Sequence, residues 1–300
     1  MNLTRIHLTK FLLFVLLFYI HSTSIIAQGF NAIESKEGIE ITENGRKVLF
    51  YQVKPKSLNG KYERAGYVHP LYDLNGNILT EDFPADHPYH HGIFWAWHQI
   101  KLRGHVVADG WVADSISWNV TALNLKKDSG RISLFSEVSW NIRTGTGAST
   151  PIIREETVIT VYSENKKQRI IDFDIVLYPL FDSISIGGSD DVKGYGGFCM
   201  RLRLPADIEF VSNDTLVTPS ETAIRAGKSM DFRASFDGPS LPKSGVTLIT
   251  MPIEKDPQQS WILRKETSMQ NIVYPGRTPV PLSRRGLRMK YQLVLHPIDQ

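Results

Sequence analysis

The chain has 300 residues, of which 34 are Lys or Arg and 31 are Asp or Glu, giving a formal charge of +3, and 42% are hydrophobic. That balance describes a folded globular protein with a sizeable core and excludes disordered, fibrous and strongly polybasic classes. A lone cysteine, Cys199, excludes an intramolecular disulfide framework and a thiolate metal cluster.

Residues 1–27 read as a secretory signal peptide. Arg5 and Lys10 supply a basic start, Phe11 to Ile20 is an unbroken apolar run, and Ala27 offers a small residue for cleavage. No later segment approaches the roughly 20 apolar residues that a spanning helix needs. The mature domain, 28–300, is therefore expected in the periplasm or outside the cell, with no stable membrane insertion. Losing Arg5 and Lys10 leaves 32 basic against 31 acidic side chains, which gives no footing for nucleic acid binding.

From Gly29 the pattern is one of strands and turns. Ile33 to Ile41 alternates loosely as one strand, Asn44-Gly45 marks a hairpin, and Lys47 to Val53 resumes as an apolar strand. Asn75-Gly76 separates Tyr67 to Tyr72 from Ile78-Leu79, and Ile93 to Trp97 reads as a strand. Ser115 to Leu125 and Arg131 to Asn141 form two long strands around a charged turn, Lys126 to Gly130. In the next pair, Ile152 to Ser163 and Arg169 to Tyr178, the residues Ile171, Phe173 and Ile175 alternate with Asp172, Asp174 and Val176, the mark of one wet face. Further strands are predicted at Phe198 to Leu204, Ser229 to Phe236, Gly245 to Pro252, Trp261 to Leu263 and Leu287 to His296. No helix longer than about two turns is predicted, since even Ala223 to Met230 is interrupted by Gly227. The fold class is all-β: one large antiparallel β-sandwich with few short helices.

Five of the nine histidines fall between His87 and His105. Pro84 and Pro88 deny a helix there, so the imidazoles sit on a stiff loop leading into the strand Ile93 to Trp97. Three chemistries fit: proton transfer with Asp82 or Asp86 fixing a tautomer, ligation of a divalent metal by two of His87, His90, His91 and His98, or hydrogen bonding to a polyol beside Tyr89, Trp95, Trp97 and Trp111. Simple packing of a long crossover is the structural alternative. Adjacent His90 and His91 diverge if the backbone is extended, and Trp95 and Trp97 share one strand face, as core or as a ligand platform.

The run Gly187 to Phe198 places Asp190, Asp191, Lys193 and Tyr195 on a glycine-rich backbone, read either as a bulged turn or as the rim of a site. Arg201 and Arg203 point the same way and suit a carboxylate ligand or outward acids. Glu155 and Glu156 face opposite sides of a strand; the inward one needs a partner such as Arg154, a histidine or substrate. Either could join Asp190 or Asp191 as a glycosidase-like carboxylate pair. The cluster Arg284, Arg285, Arg288 and Lys290 reads as a solvated hairpin face, or else as a patch for an acidic polysaccharide.

Tyr67 to Leu71, Asp82 to Gly92 and Lys193 to Gly197 carry a family resemblance. Through them the chain resembles a bacterial family of unknown function (DUF6807-type), also labelled methane oxygenase-like. The middle segment is the most specific, although members commonly have arginine where this chain has His91. The resemblance spans most of the mature region and implies a large β-sandwich of the galactose mutarotase-like kind, with a part in bacterial carbohydrate use.

The expected function is that of an exported carbohydrate-active protein, a hydrolase of glycosides or oligosaccharides using side-chain acid/base catalysis. His87, His90, Glu156 and Asp190 are the candidate catalytic groups. His69, His91, Trp95, Trp97, Lys193, Tyr195 and Arg201 are the candidate contacts to a sugar or other polyol. No cofactor is expected, with a divalent metal left open, and the other function classes are a non-catalytic sugar-binding protein and a metal-dependent oxidoreductase.

Overall fold

The computed structural model describes residues 29–143, 148–238, 242–251, 253 and 260–298. The expected signal peptide at 1–27 lies outside the described residues. Among them the regular elements are all strands, and no short helix is present; Ala223 to Met230 instead holds the strand Ile224–Arg225 and the start of Ser229–Ala234.

Two nine-stranded antiparallel sheets dominate the described residues. The first runs in spatial order through Phe30–Glu34, Gly38–Glu43, Arg46–Gln52, Tyr67–Leu71, Ile93–Trp97, Gly196–Met200, Gln270–Val273, Ser260–Ile262 and Ile224–Arg225. The second runs through Ile116–Asp128, Arg131–Arg143, Ser149–Tyr162, Arg169–Pro179, Leu287–Pro297, Ser244–Thr250, Ser229–Ala234, Glu209–Ser212 and Thr215–Leu216. A four-stranded sheet built on Gln99–Leu102 and Ile184–Gly187 and a small hairpin, Lys56–Leu58 with Lys61–Arg64, complete the fold.

Local chemistry explains most of these boundaries. Asn44 and Gly45 have φ of 50° and 78°, the paired left-handed conformations that a two-residue hairpin turn demands. The span Ile33 to Ile41 is two strands rather than one, because Ser35 folds the chain back: its backbone N–H donates to Gly38 O at 2.9 Å, and its hydroxyl oxygen accepts from Gly38 N at 3.1 Å. The charged turn before Arg131 is tighter than expected. Lys126 and Lys127 stay in the ladder, and pairing continues to Asp128 opposite Arg131. On Arg169–Pro179, Ile171, Phe173 and Ile175 are buried while Asp172, Asp174 and Val176 are partly exposed.

The two large sheets face one another across an aromatic core. Phe198 of the first sheet stacks on Tyr291 of the second at 4.2 Å between centroids, Trp97 packs on Trp140 at 6.0 Å, and Tyr51 Oη lies 2.7 Å from Ser136 Oγ. Burying each such side chain contributes about 1.5–3 kcal/mol. At the centre sits a carboxylate, Glu155. Trp95 Nε1 and Trp140 Nε1 donate to its Oε2 at 2.8 and 2.9 Å, and Thr157 Oγ1 donates to Oε1 at 2.7 Å. Burial pushes its pKa up, opposed by these three donors and the nearby Arg64 charge. The inward glutamate is thus satisfied by indoles and a hydroxyl, whereas Arg154 turns outward to Glu156 and Glu137.

Strand Ile93–Trp97 is buried on both faces. Its inward side chains join the core, and Phe94 and Ala96 point to the opposite face, where Tyr67, Trp111, Cys199 and Met269 form a second apolar cluster. That cluster is the floor of the site.

Candidate functional site

Antiparallel pairing builds the site. Strand Ile93–Trp97 lies against Gly196–Met200 with Ile93 opposite Met200 and Trp97 opposite Gly196. The histidine loop therefore ends beside Arg201, whose N–H donates to Gly92 O at 2.7 Å, and the glycine-rich run ends beside Trp97 and His98. Glycine is required at position 92, since a Cβ there would stand 2.2 Å from the carbonyl oxygen of Val68.

Two successive turns shape the loop: His87 N–H donates to Pro84 O at 3.2 Å and His90 N–H to His87 O at 2.9 Å. Asp86 is gripped by Arg201 through both carboxylate oxygens, at 2.7 and 3.0 Å, and accepts the Ser268 N–H at 2.7 Å. His87 Nδ1 lies 2.9 Å from the same carboxylate. Partial burial pushes the Asp86 pKa up, but Ser268, His87 and Arg201 together hold it well below the usual carboxylate range. Arg201 also bonds Glu81 and the Ser268 carbonyl, so it orients the loop from beneath.

A second pair mirrors the first. His98 Nδ1 lies 2.8 Å from Asp109, whose other oxygen accepts the N–H groups of Trp111 at 2.8 Å and Val112 at 3.2 Å. His98 stacks on Trp111, His90 meets the edge of Trp111, and His87 stacks on His90. These four rings form one wall of a cavity of about 340 Å³, with Tyr89, Tyr195, Lys193 and Arg264 on its other sides. In a neutral imidazole whose Nδ1–H is taken by a carboxylate, Nε2 carries the lone pair and is the atom offered to a ligand. Burial pushes the His90 pKa down to about 2, so His90 is neutral, and its buried Nδ1 has no partner among the described residues.

The glycine-rich stretch forms the facing rim. Asp191 Oδ1 accepts from Ser189 Oγ at 2.7 Å and from the N–H groups of Lys193 and Gly194 at 2.9 and 3.1 Å, which closes the loop and presents Lys193 and Tyr195 to the cavity. Arg264 donates from Nε to the Tyr195 hydroxyl at 2.9 Å.

Other candidate residues lie elsewhere. His91 diverges from His90 and is buried, with Nδ1 2.8 Å from Asp82, which also accepts from Lys56 Nζ at 2.8 Å and the Tyr67 hydroxyl at 3.0 Å. Burial lowers the His91 pKa; at Asp82 burial is outweighed by His91 and Lys56, which bring it down to about 2. His69 Nδ1 lies 3.0 Å from Thr80 Oγ1, and burial lowers its pKa to about 4. Trp95 and Trp97 are fully buried in the inter-sheet core and do not line the cavity. Glu156 pairs with Arg154 on the outer face of the second sheet, and Asp190 is an exposed partner of Arg277 at 2.7 Å. The structure therefore brings together His87, His90, Lys193 and Tyr195, with Arg201 behind Asp86, and leaves the glutamates apart. Asp109 and Arg264 were not singled out from the sequence. Asp109, two residues before Trp111, offered a weak turn signal, and nothing local marks Arg264. Arg284 pairs with Asp182, while Arg288 and Lys290 pair with Asp174, as a solvated hairpin face does.

Among the described residues no group of three or more His, Cys, Asp or Glu side chains is arranged to hold a metal ion, and no helix is long and apolar enough to cross a membrane. Fold and site together define an all-β sandwich with a histidine-walled cavity on the outer face of one sheet. The chain belongs to a family of unknown function (DUF6807), whose model matches residues 38–299. No curated protein matches it.

Proposed function

We propose that this protein is an exported carbohydrate-active enzyme that hydrolyses a glycoside or oligosaccharide by imidazole acid/base catalysis. The observation that carries this reading is the pair of carboxylate-held histidines, His87 with Asp86 and His98 with Asp109, lining one cavity. One neutral imidazole takes a proton from the attacking water through Nε2, and the other, protonated, gives a proton to the leaving oxygen. Asp86 and Asp109 fix the tautomers and stabilise the imidazolium each histidine becomes.

The cavity suits a sugar unit. Its volume lies in the range of small-molecule sites, the half-buried Tyr89 and Tyr195 offer aromatic surface to a ring, and Thr267 and Ser268 offer hydroxyl groups. Among the described residues no Asp or Glu side chain lines it, so the acid and base roles fall to histidine and not to Glu156 and Asp190. The resemblance to galactose mutarotase-like sandwiches is supported by the two large facing sheets, and export by the signal-like residues 1–27. The test is release of reducing ends from a diverse oligosaccharide panel. Release by the native chain, lowered on the order of 10²-fold by His87→Ala and by His98→Ala, is expected. Release unaffected by both changes, or ligand binding without release from any sugar, overturns the enzymatic reading.

A further inference from the structure

The charge around this cavity is uneven. Lys193 and Arg264 line it, and among the described residues no carboxylate does. Asp86 and Asp109 stand behind their histidines with their oxygens already engaged, the first by Arg201 and Ser268, the second by the N–H groups of Trp111 and Val112. Neither Lys193 nor Arg264 takes part in an ion pair among the described residues.

Arg264 is held instead by neutral acceptors. Nε donates to the Tyr195 hydroxyl, one terminal nitrogen to the carbonyls of Ser220 and Leu263 at 2.7 and 2.9 Å, and the other to that of Glu221 at 2.9 Å. Its position is fixed, and no carboxylate forms an ion pair with it among the described residues. Lys193 projects from a loop whose nearest acid, Asp191, spends Oδ1 on closing that loop. Two cations that line one small concave site without an ion-pair partner among the described residues favour a bound anion there.

We infer that the sugar this site takes is acidic, with one negative charge, a carboxylate or a sulfate ester, seated at Lys193 and Arg264 while its ring lies along Tyr89 and Tyr195. The inference rests on the carbohydrate reading above. A single charge fits because four of the five Arg264 N–H groups are taken by the Tyr195 hydroxyl and three carbonyls, so the side chain acts as an oriented charge, not as a two-pronged donor. A neighbouring depression of about 450 Å³ shares Lys193, Arg264 and Thr267 with the cavity and adds Lys265, Glu221 and Glu266. Its mixed charge selects for none, so an oligosaccharide reaching into it needs its acid group only in the histidine cavity.

The test is calorimetric binding of matched oligosaccharides to the full chain: one neutral, one carrying a uronate and one carrying a sulfate ester at the same unit. An acidic ligand is expected to bind at least roughly tenfold tighter than its neutral twin. Added salt is expected to shrink that preference, and Lys193→Met, which keeps the aliphatic stem, to remove most of it by lowering the acidic affinity far more than the neutral one. The tighter of the two acidic ligands identifies the anion. Equal affinity for all three, or a preference that neither salt nor Lys193→Met alters, overturns the inference. Cleavage measured on the same samples separates the two claims. Neutral sugars cut in a His87-dependent way with no acidic preference leave the function standing and the inference fallen; Lys193-dependent acidic binding without cleavage does the reverse.

Discussion

The imidazole of His87 lies flat on that of His90, with ring centroids 4.7 Å apart and planes 2° from parallel. The two rings are chemically unequal. Asp86 holds the Nδ1 of His87, while the Nδ1 of His90 is buried without a partner among the described residues. In the proposed mechanism His90 is therefore a neutral support that sets the plane of His87, and His87 is the ring that transfers the proton.

This inequality has a direct consequence for variants. His87→Ala is expected to lower cleavage by about 10²–10⁴-fold. His90→Phe, which keeps a flat ring beneath His87, is expected to stay within about tenfold of native, a positioning effect and not the loss of an acid or base. Steady-state rates with a cleaved oligosaccharide check both; equal losses in the two variants contradict the division of roles.

The carboxylates behind the histidines supply a second expectation. Asp86→Asn and Asp109→Asn keep the side-chain size but can present an N–H where each imidazole needs an acceptor, so the tautomer that leaves Nε2 free is no longer favoured. A loss on the order of 10² in kcat with little change in KM is expected for each. A change confined to KM contradicts it.

Acid should unfold this protein through its buried histidines. Burial depresses His69 from 6.5 to about 4 and His90 from 6.5 to about 2. For a depressed histidine the neutral folded form is fully favoured above the unfolded pKa of 6.5, and that advantage is lost as pH falls toward the folded value. Between about pH 7 and about pH 5 each contributes up to about 2 kcal/mol of lost stability. Urea midpoints across that window check this, and His69→Asn is expected to flatten the decline. A native curve flat over the same window contradicts it.

Glu155 makes the fold depend on a core carboxylate. Glu155→Ala strands the Trp95 and Trp140 N–H donors and the Thr157 hydroxyl in the interior and is expected to cost about 3–5 kcal/mol by chemical denaturation. Glu155→Gln retains an acceptor oxygen and is expected to cost less. A larger loss for the glutamine variant contradicts this account of the core.

The fold was largely legible because the long strands of its second sheet have one wet face. Alternation on Arg169–Pro179 and the Asn44-Gly45 turn are local signals, and the structure follows them. The break after Glu34 was not, since it depends on Ser35 competing for the Gly38 backbone. Site residues were legible where a short loop gathers them, as at His87 and His90. They were illegible where partners meet across the fold: Arg201 reaches Asp86, and Arg264 reaches Tyr195, through sheet pairing that no short window records. The face chosen by Trp95 and Trp97 was open from period-2 alternation alone, and the indole donor to Glu155 and the packing on Trp140 decide it for the core.

The most direct test of the central claim is a crystal structure of the chain soaked with an oligosaccharide. The expected result is a sugar ring against Tyr89 and Tyr195 with oxygen atoms within hydrogen-bond reach of the Nε2 atoms of His87 and His98. A sugar bound elsewhere on the sandwich, with both imidazoles untouched, contradicts it.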